Sequence, residues 1–319
     1  MNRTNQILAI VLAVQIALGV VVFWPWSVVS GVGSGPLFAD LKAADVVELV
    51  VSDTQGNHVA LSRHDADWVL PEAGDYPANG DKISTLLETI EGLQTDRLLT
   101  KTDASHKRLQ VAEDDFNYLA ELKSQDGSSR KLYIGSSAGG DTAHVRADGS
   151  SEVYLASGLE VWGISGRAVS WIDTLYFTVP QTATIALTLE NKNGVFEFER
   201  DGENWTMKGL ADDETFNEDS LTNLLSQVVS LHMMEPIGKE EEASFGLDDP
   251  QAIITLKTEE KTYTLRFGAK NEENQSYVLK SSESPYYVLV DEYRGDEFAG
   301  KTRDDFLELP PTPQADTGG

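Results

Sequence analysis

The sequence predicts an α+β protein in which an N-terminal transmembrane helix precedes two tandem homologous modules, each built of antiparallel meanders with one amphipathic helix. Three observations predict this. A long uncharged apolar run opens the chain. The remainder aligns with itself at a nearly constant offset. In each half, one segment of helical periodicity interrupts segments in which apolar and polar residues alternate.

The apolar run comes first. No charged residue occurs from Thr4 to Ala39, and within that span Ile7 to Phe23 reads ILAIVLAVQIALGVVVF, with twelve Leu, Ile, Val or Phe among its seventeen residues. At roughly −0.3 to −0.6 kcal/mol each, these favour insertion by about 4–7 kcal/mol, enough to outweigh Gln15 in mid-span. Seventeen helical residues cover roughly 26 Å, close to the hydrocarbon thickness. Trp24 and Trp26 flank Pro25 where an interfacial aromatic belt and a helix end belong. Arg3 and the amino terminus are the only positive charges on the short side. The positive-inside rule therefore places residues 1–6 in the cytoplasm, residues 7–29 as a single-pass anchor in the inner (cytoplasmic) membrane, and the body outside the cytoplasm. A cleaved signal peptide is the competing reading. The length of the run and the lack of a clear A-x-A site favour retention, and both readings leave the body extracytoplasmic.

Residues from about Asp45 to Asp173 align with about Thr184 to Leu309 at an offset of roughly 133 to 138. The expected modules are 40–177 and 184–309, joined by a short linker from Thr178 to Ala183 (TVPQTA). Each begins with a strand, turn, strand, turn and Trp. VVELVVS, Gly56, HVALSR, HDAD and Trp68 match IALTLE, Asn193-Gly194, VFEFER, DGEN and Trp205. Residues that accept a positive φ between alternating segments are hairpin signals. Leu61 matches Phe198 and Arg63 matches Arg200. A helix follows, with Ile83, Leu86, Leu87, Ile90 and Leu93 on one face in the first module. Its counterpart carries Leu221, Leu224, Leu225, Val228 and Leu231, with Asn79 and Asn217 as candidate N-caps. Short loops (HKRLQVAEDD, EASFGLDDP) then lead into meanders whose strands close at Gly135 and Gly268. A further hairpin ends each meander, and a polar, helical stretch carries Arg167…Trp171-Ile172-Asp173 or Arg303-Asp304-Asp305-Phe306. The tail 310–319, PPTPQADTGG, has too little apolar surface to order itself.

Composition narrows the function classes. The formal net charge of −27 over 319 residues repels phosphates, which disfavours nucleic-acid binding. It also argues against the body lying on an anionic leaflet. With no cysteine there are no disulfides, thiolate metal sites or cysteine nucleophile. The five histidines (His58, His64, His106, His144, His232) form no HxH or HExxH pair.

The repeated module resembles the DUF4340 family, a domain of unknown function found in bacterial membrane-anchored proteins, over nearly the whole soluble part and better in the second half than the first. Phe245-Gly246-Leu247-Asp248-Asp249-Pro250 running into Gln251-Ala252-Ile253-Ile254-Thr255-Leu256 carries the resemblance. Tyr263-Thr264-Leu265-Arg266-Phe267-Gly268, Tyr277-Val278-Leu279 and Tyr286-Tyr287-Val288 extend it. Leu109-Gln110-Val111-Ala112-Glu113-Asp114 is a degraded copy, with Gln where Gly is expected, a residue that disfavours the sharp turn there. The resemblance implies no catalytic residues. It implies company with ABC-type transport components resembling the gliding-motility auxiliary proteins.

Each constellation that could carry chemistry has a plainer reading. His64-Asp65-Ala66-Asp67 matches Asp201-Gly202-Glu203-Asn204, which keeps the turn and loses the His. Asp212-Asp213-Glu214 with Asn217, Glu218 and Asp219 lacks the Ca²⁺-loop pattern and suits a helix N-terminus. Glu240-Glu241-Glu242 reads as a solvated charge run. Gly135-Ser136-Ser137-Ala138-Gly139-Gly140 lacks the Lys-Ser/Thr of a phosphate loop and reads as a flexible connection. Gly163-Ile164-Ser165-Gly166 has the wrong spacing for a nucleophile elbow. Trp68 and Trp205 read as packing residues rather than ligand platforms. No catalytic, cofactor-binding or metal-ligating residue is therefore assigned, and no cofactor is expected. The expected function is that of a non-enzymatic extracytoplasmic accessory or scaffold protein in a membrane complex, plausibly with ABC-type transport components. The alternative is a binding module for envelope polysaccharide or Ca²⁺, and an enzyme whose carboxylates converge only in three dimensions is the third reading.

Overall fold

The computed structural model describes residues 35–271 and 274–308. Its first sheet is built from β1 (Val46–Asp53), β2 (His58–His64), β3 (Asp67–Leu70), β4 (Tyr76–Pro77), β5 (Leu98–Thr100), β6 (Tyr118–Ser124), β7 (Ser129–Gly139), β8 (Thr142–Ala147) and β9 (Val153–Ser157), with helices α1 (Gly80–Glu91) and α2 (Asp103–Arg108). Short 3₁₀ turns at Val161–Gly163 and Ala168–Trp171 lead to β10 (Leu175–Thr178). The second sheet follows from β11 (Thr184–Asn191), β12 (Gly194–Asp201) and β13 (Asn204–Met207). After α3 (Glu218–Val228) and β14 (Ser230–His232) come β15 (Glu235–Gly238), β16 (Ala252–Thr258), β17 (Thr262–Lys270), β18 (Tyr277–Ser281) and β19 (Tyr287–Val290). Helix α4 (Glu292–Gly300) and a 3₁₀ turn at Arg303–Phe306 close the module.

The two sheets repeat one strand order. The first runs β4-β3-β2-β1-β6-β7-β8-β9-β5 and the second β13-β12-β11-β16-β17-β18-β19-β15. Strand alternation sets both registers. In β1, Leu49 lies opposite Leu61 and Leu122; in β11, Leu187 lies opposite Phe198 and Leu256. These side chains point to one face, are at most 2% exposed, and meet the buried stripe of α1 (Ile83, Leu86, Leu87, Ile90) or α3 (Leu221, Leu224, Leu225, Val228). Each such burial stabilises by about 1.5–3 kcal/mol. Asn79 and Asn217 cap these helices, their side-chain oxygens accepting from Lys82 N at 3.0 Å and Ser220 N at 3.1 Å.

Two local devices are also duplicated. Both β7 and β17 slip register just after their core pairs, and Gly135 and Gly268 sit at the slips. A Cβ there would lie 2.0 Å from Leu109 O or Phe245 O, so the preceding loop rests directly on each glycine. That loop turns through Gln110 (φ 56°) in one module and Gly246 (φ 62°) in the other. The sharp turn that Gln110 disfavours is kept, at the steric cost of a side chain in the left-handed region. An arginine ties down each loop. Arg146, from β8, donates to Val111 O at 2.7 Å, and Arg266, from β17, donates to Leu247 O.

The short linker TVPQTA is ordered and packed. Phe177 and Val179 are buried, β10 pairs with β14, and Gln181–Ala183 forms a 3₁₀ turn. In the first module Gly35–Leu37 plays the part of β10: Leu37 N donates to Leu93 O and Thr95 N to Gly35 O. Three tyrosines close the junction. Tyr286 Oη donates to Asp75 O (2.7 Å), Tyr176 Oη donates to Tyr286 O (2.7 Å), and the rings of Tyr76 and Tyr286 meet edge-on at 4.7 Å. One hydrophobic core runs through both modules.

The expected fold class is corrected. The described chain is mainly antiparallel β-sheet, because the segments read as turns and loops also pair, leaving one helix of eleven or twelve residues against each eight- or nine-stranded sheet. None of the described helices is long and apolar enough to cross a membrane, so a transmembrane helix finds no support in the structure. The anchor assigned to 7–29 and the tail 310–319 lie outside the described residues. The polar stretches expected to be helical are short 3₁₀ turns in both modules, Ala168–Trp171 and Arg303–Phe306, and only the second is preceded by an α-helix, α4.

Candidate functional site

The two modules diverge most where the chain leaves the sheet after β9 and β19. In the second, α4 covers the departure and seats Phe298 against Phe267 at 5.0 Å between ring centroids. In the first, an extended loop with a single 3₁₀ turn replaces that helix, and a groove of about 480 Å³ opens between this loop and α1. Lys82, Thr85, Leu86 and Thr89 form one wall. Glu160, Trp162 and Ile164 form the other, and Trp171 lies at the base.

The base is fixed by a closed set of bonds. Trp171 is fully buried and its Nε1 donates to Ser165 O at 2.8 Å. Its carbonyl accepts from Asn79 N at 2.7 Å, tying the turn to the helix cap. Lys82 lies over the Trp171 ring, 4.8 Å from the centroid, and its Nζ donates to Ser170 O at 2.8 Å. Burial lowers the Lys82 ammonium below its ordinary pKa. In the second module Phe306 replaces Trp171, accepting from Asn217 N at 2.9 Å and packing on Phe198 at 4.8 Å. That site has no lysine over the ring, since the position matching Lys82 is Ser220.

Trp162 stands on the rim with 81% of its surface exposed, the most open of the large apolar side chains in the described chain. Folding leaves this indole in water beside a preformed hollow, an arrangement suited to clasping a flat or apolar group.

Of the constellations singled out in the sequence, Gly163-Ile164-Ser165-Gly166 borders this groove, and the others lie elsewhere and do not converge. His64-Asp65-Ala66-Asp67 is the two-residue turn between β2 and β3, with Asp65 at φ 55°; Gly202 at φ 63° serves its counterpart. Glu214 is held by Arg303 and by Ala211 N, first the arginine and then the amide, which bring its carboxyl down to about 2. Its oxygens are therefore engaged. Glu241 accepts from Tyr287 Oη at 2.9 Å. The glycine-rich 135–140 segment is the end of β7 and its turn into β8, so it is sheet rather than a flexible connection. Ser165 Oγ accepts from Arg167 N at 3.1 Å. Trp68 and Trp205 are buried, 5% and 9% exposed, as packing residues. Among the described residues no group of three or more His, Asp or Glu is spaced to hold a metal ion.

One Ser–His pair arises only in the fold. Ser136 Oγ lies 3.1 Å from His144 Nδ1. The same nitrogen lies 2.8 Å from Ser136 O, a carbonyl that can only accept, so Nδ1 carries the proton and cannot take one from Ser136. The pair closes the β7–β8 hairpin without activating the hydroxyl. The Trp162 groove itself was missed in the sequence. Its one signal was an isolated Val161-Trp162-Gly163 with no counterpart in the repeat.

A family model described as a domain of unknown function, DUF4340, matches residues 68–238 and 216–310. No curated protein and no solved structure matches the chain.

Proposed function

We propose that this chain, which belongs to the DUF4340 family, is a non-enzymatic accessory or scaffold protein whose first module holds a partner in the Trp162 groove. The single observation that carries the reading is Trp162, 81% exposed on the rim of a preformed groove that the second module does not repeat. Tryptophans so placed dominate interface energetics, because one rigid side chain buries much apolar surface for little rotamer entropy. The hydrogen bonds that fix the base leave little of the protein's own structure to be ordered on binding. The partner class is a component of a membrane complex outside the cytoplasm, of ABC-type transport. That assignment rests on the family resemblance and on the uncharged apolar run that opens the sequence.

Affinity purification of the full chain from detergent-solubilised membranes tests it. The wild type is expected to bring down a reproducible membrane partner, and Trp162→Ala to lose it while melting at the same temperature. A hot-spot loss of about 2 kcal/mol or more corresponds to roughly 30-fold weaker binding. A wild-type protein that purifies alone, or a Trp162→Ala protein that retains the same partner, refutes the proposal.

A second reading is favoured by the polar side chains around the indole. Thr85, Thr89, Lys82 and Glu160 could bond the hydroxyls of a sugar stacked on Trp162, making the groove a site for envelope polysaccharide. Calorimetric titration with wall polysaccharide separates the two readings, and flat traces remove this one.

A further inference from the structure

The junction inside the chain is a contact between two sheet ends, and each of those ends has a counterpart left uncovered. The terminal strand of the second sheet, β15, is covered by the turn that follows β3. Gly74, in that turn at φ 68°, is packed so closely that a Cβ would lie 3.2 Å from Lys239 N and 3.3 Å from Gly238 Cα. By the shared strand order, the element matching β15 is β5, at the outer end of the first sheet. The turn matching the one after β3 is the loop after β13, where Gly209 has φ 71° and nothing within 4 Å of its Cβ position. Among the described residues the chain thus carries one receiving edge and one inserting loop without a counterpart contact, at opposite ends of the strand order.

Charge matches the two ends to each other. Residues 96–108, which contain β5, carry Arg97, Lys101, Lys107 and Arg108 against Asp96 and Asp103; Lys101 and Lys107 are paired with Glu152 at 3.0 Å and Asp114 at 2.7 Å, so Arg97 and Arg108 are the cations this segment offers a partner. Leu99, on β5 itself, is 48% exposed. Residues 199–214 carry Glu199, Asp201, Glu203, Asp212, Asp213 and Glu214 against Arg200 and Lys208. Arg303 fixes this loop by bonding Gly209 O and Glu214, leaving Asp212 and Asp213 exposed.

We infer that the β5 edge is the docking surface for a second copy of this chain, which inserts the loop after β13 and so repeats between molecules the contact the two modules make within one. The interface is heterologous: the patch on one copy differs from the patch on the next, so association runs head to tail and does not close at two. Opposite charge on the two patches makes it weaken with added salt, and the exposed leucine supplies its apolar centre.

The cysteine-free sequence allows a direct test. Leu99→Cys and Asp212→Cys are made separately in the full chain, purified in detergent, mixed and oxidised. Disulfide-linked heterodimers are expected in the mixture, several-fold more than when Leu99→Cys is mixed with Tyr293→Cys, a cysteine at an exposed site on α4. The double variant is expected to give a ladder. A mixture that cross-links no better than the Tyr293→Cys control overturns the inference, and so does Leu99→Cys alone forming the dominant dimer. Sedimentation of the cysteine-free chain is the second measurement. A mass that rises with concentration and falls with Leu99→Glu or with salt supports the interface, and a single monomeric mass throughout overturns it.

Discussion

Replacing Gly268 by alanine should break the second module at one identifiable contact. The added Cβ would lie 2.0 Å from Phe245 O and 3.0 Å from Leu247 Cδ2. Restoring an ordinary separation of roughly 3.4 Å requires the loop backbone to withdraw by about 1.4 Å, since a carbonyl in a turn cannot rotate aside as a side chain can. That movement pulls Leu247 and Phe245 out of the small cluster they form with Val278, Tyr287 and Leu289, and takes Leu247 O away from Arg266. Overpacking with backbone displacement costs about 1–3 kcal/mol, and a weakened charged hydrogen bond brings the total to about 3 kcal/mol or more. For a unit of this size about 3 kcal/mol lowers the melting temperature by about 6–12 °C. Thermal unfolding followed by circular dichroism measures it, with Gly300→Ala as the control because nothing lies within 4 Å of its Cβ position. Gly135→Ala should repeat the effect through Leu109 O. If Gly268→Ala melted within about 2 °C of the wild type, the reasoning from close approach would be wrong.

Three other perturbations separate the remaining contributions. Gln110→Gly should be neutral within about 1 kcal/mol by urea denaturation, because relief of the left-handed side chain is offset by the added freedom of the unfolded chain. Lys82→Met should cost about 1–2 kcal/mol and alter the tryptophan fluorescence, since it removes both the bond to Ser170 O and the cation over Trp171. In alkali, Tyr76 is expected to titrate late, because burial first and then the nearby Tyr176, Asp173 and Tyr286 push its phenol up to about 12 from 10.0. A folded pKa above the unfolded one gives stability that is complete below pH 10 and lost as pH rises through 12. Ultraviolet absorbance of tyrosinate should therefore rise together with loosening of the junction in that window, and free titration of every tyrosine near 10 in the folded protein would contradict it.

Much of the module was legible because its code is local. The apolar stripes of α1 and α3 and the Asn caps are periodic or positional signals, and they appear where periodicity placed them except at the last position, since Leu93 follows α1 and Leu231 lies in β14. The turns at His64–Asp67 and Asp201–Asn204 were legible for the same reason. Pairings between distant short segments were not. Nothing in Leu175–Thr178 announces that its partner is Ser230–His232, because a four-residue strand carries too few alternations to specify a register. Gln110 alone could not decide its turn for a physical reason: the turn is held by the loop resting on Gly135 and by Arg146 on Val111 O, so tertiary contacts override the residue's own preference. The groove was invisible because it depends on what α4 covers in one module and nothing covers in the other. An unpaired Trp in a repeat was the trace it left.

The pairing of β10 with β14 has a mechanical consequence. The residues that connect the modules are a sheet strand, closed by three tyrosines and embedded in a continuous core, so the molecule has no swivel between its halves. Turning one module against the other would have to break the β10–β14 pairing and the tyrosine bonds and open the core they share.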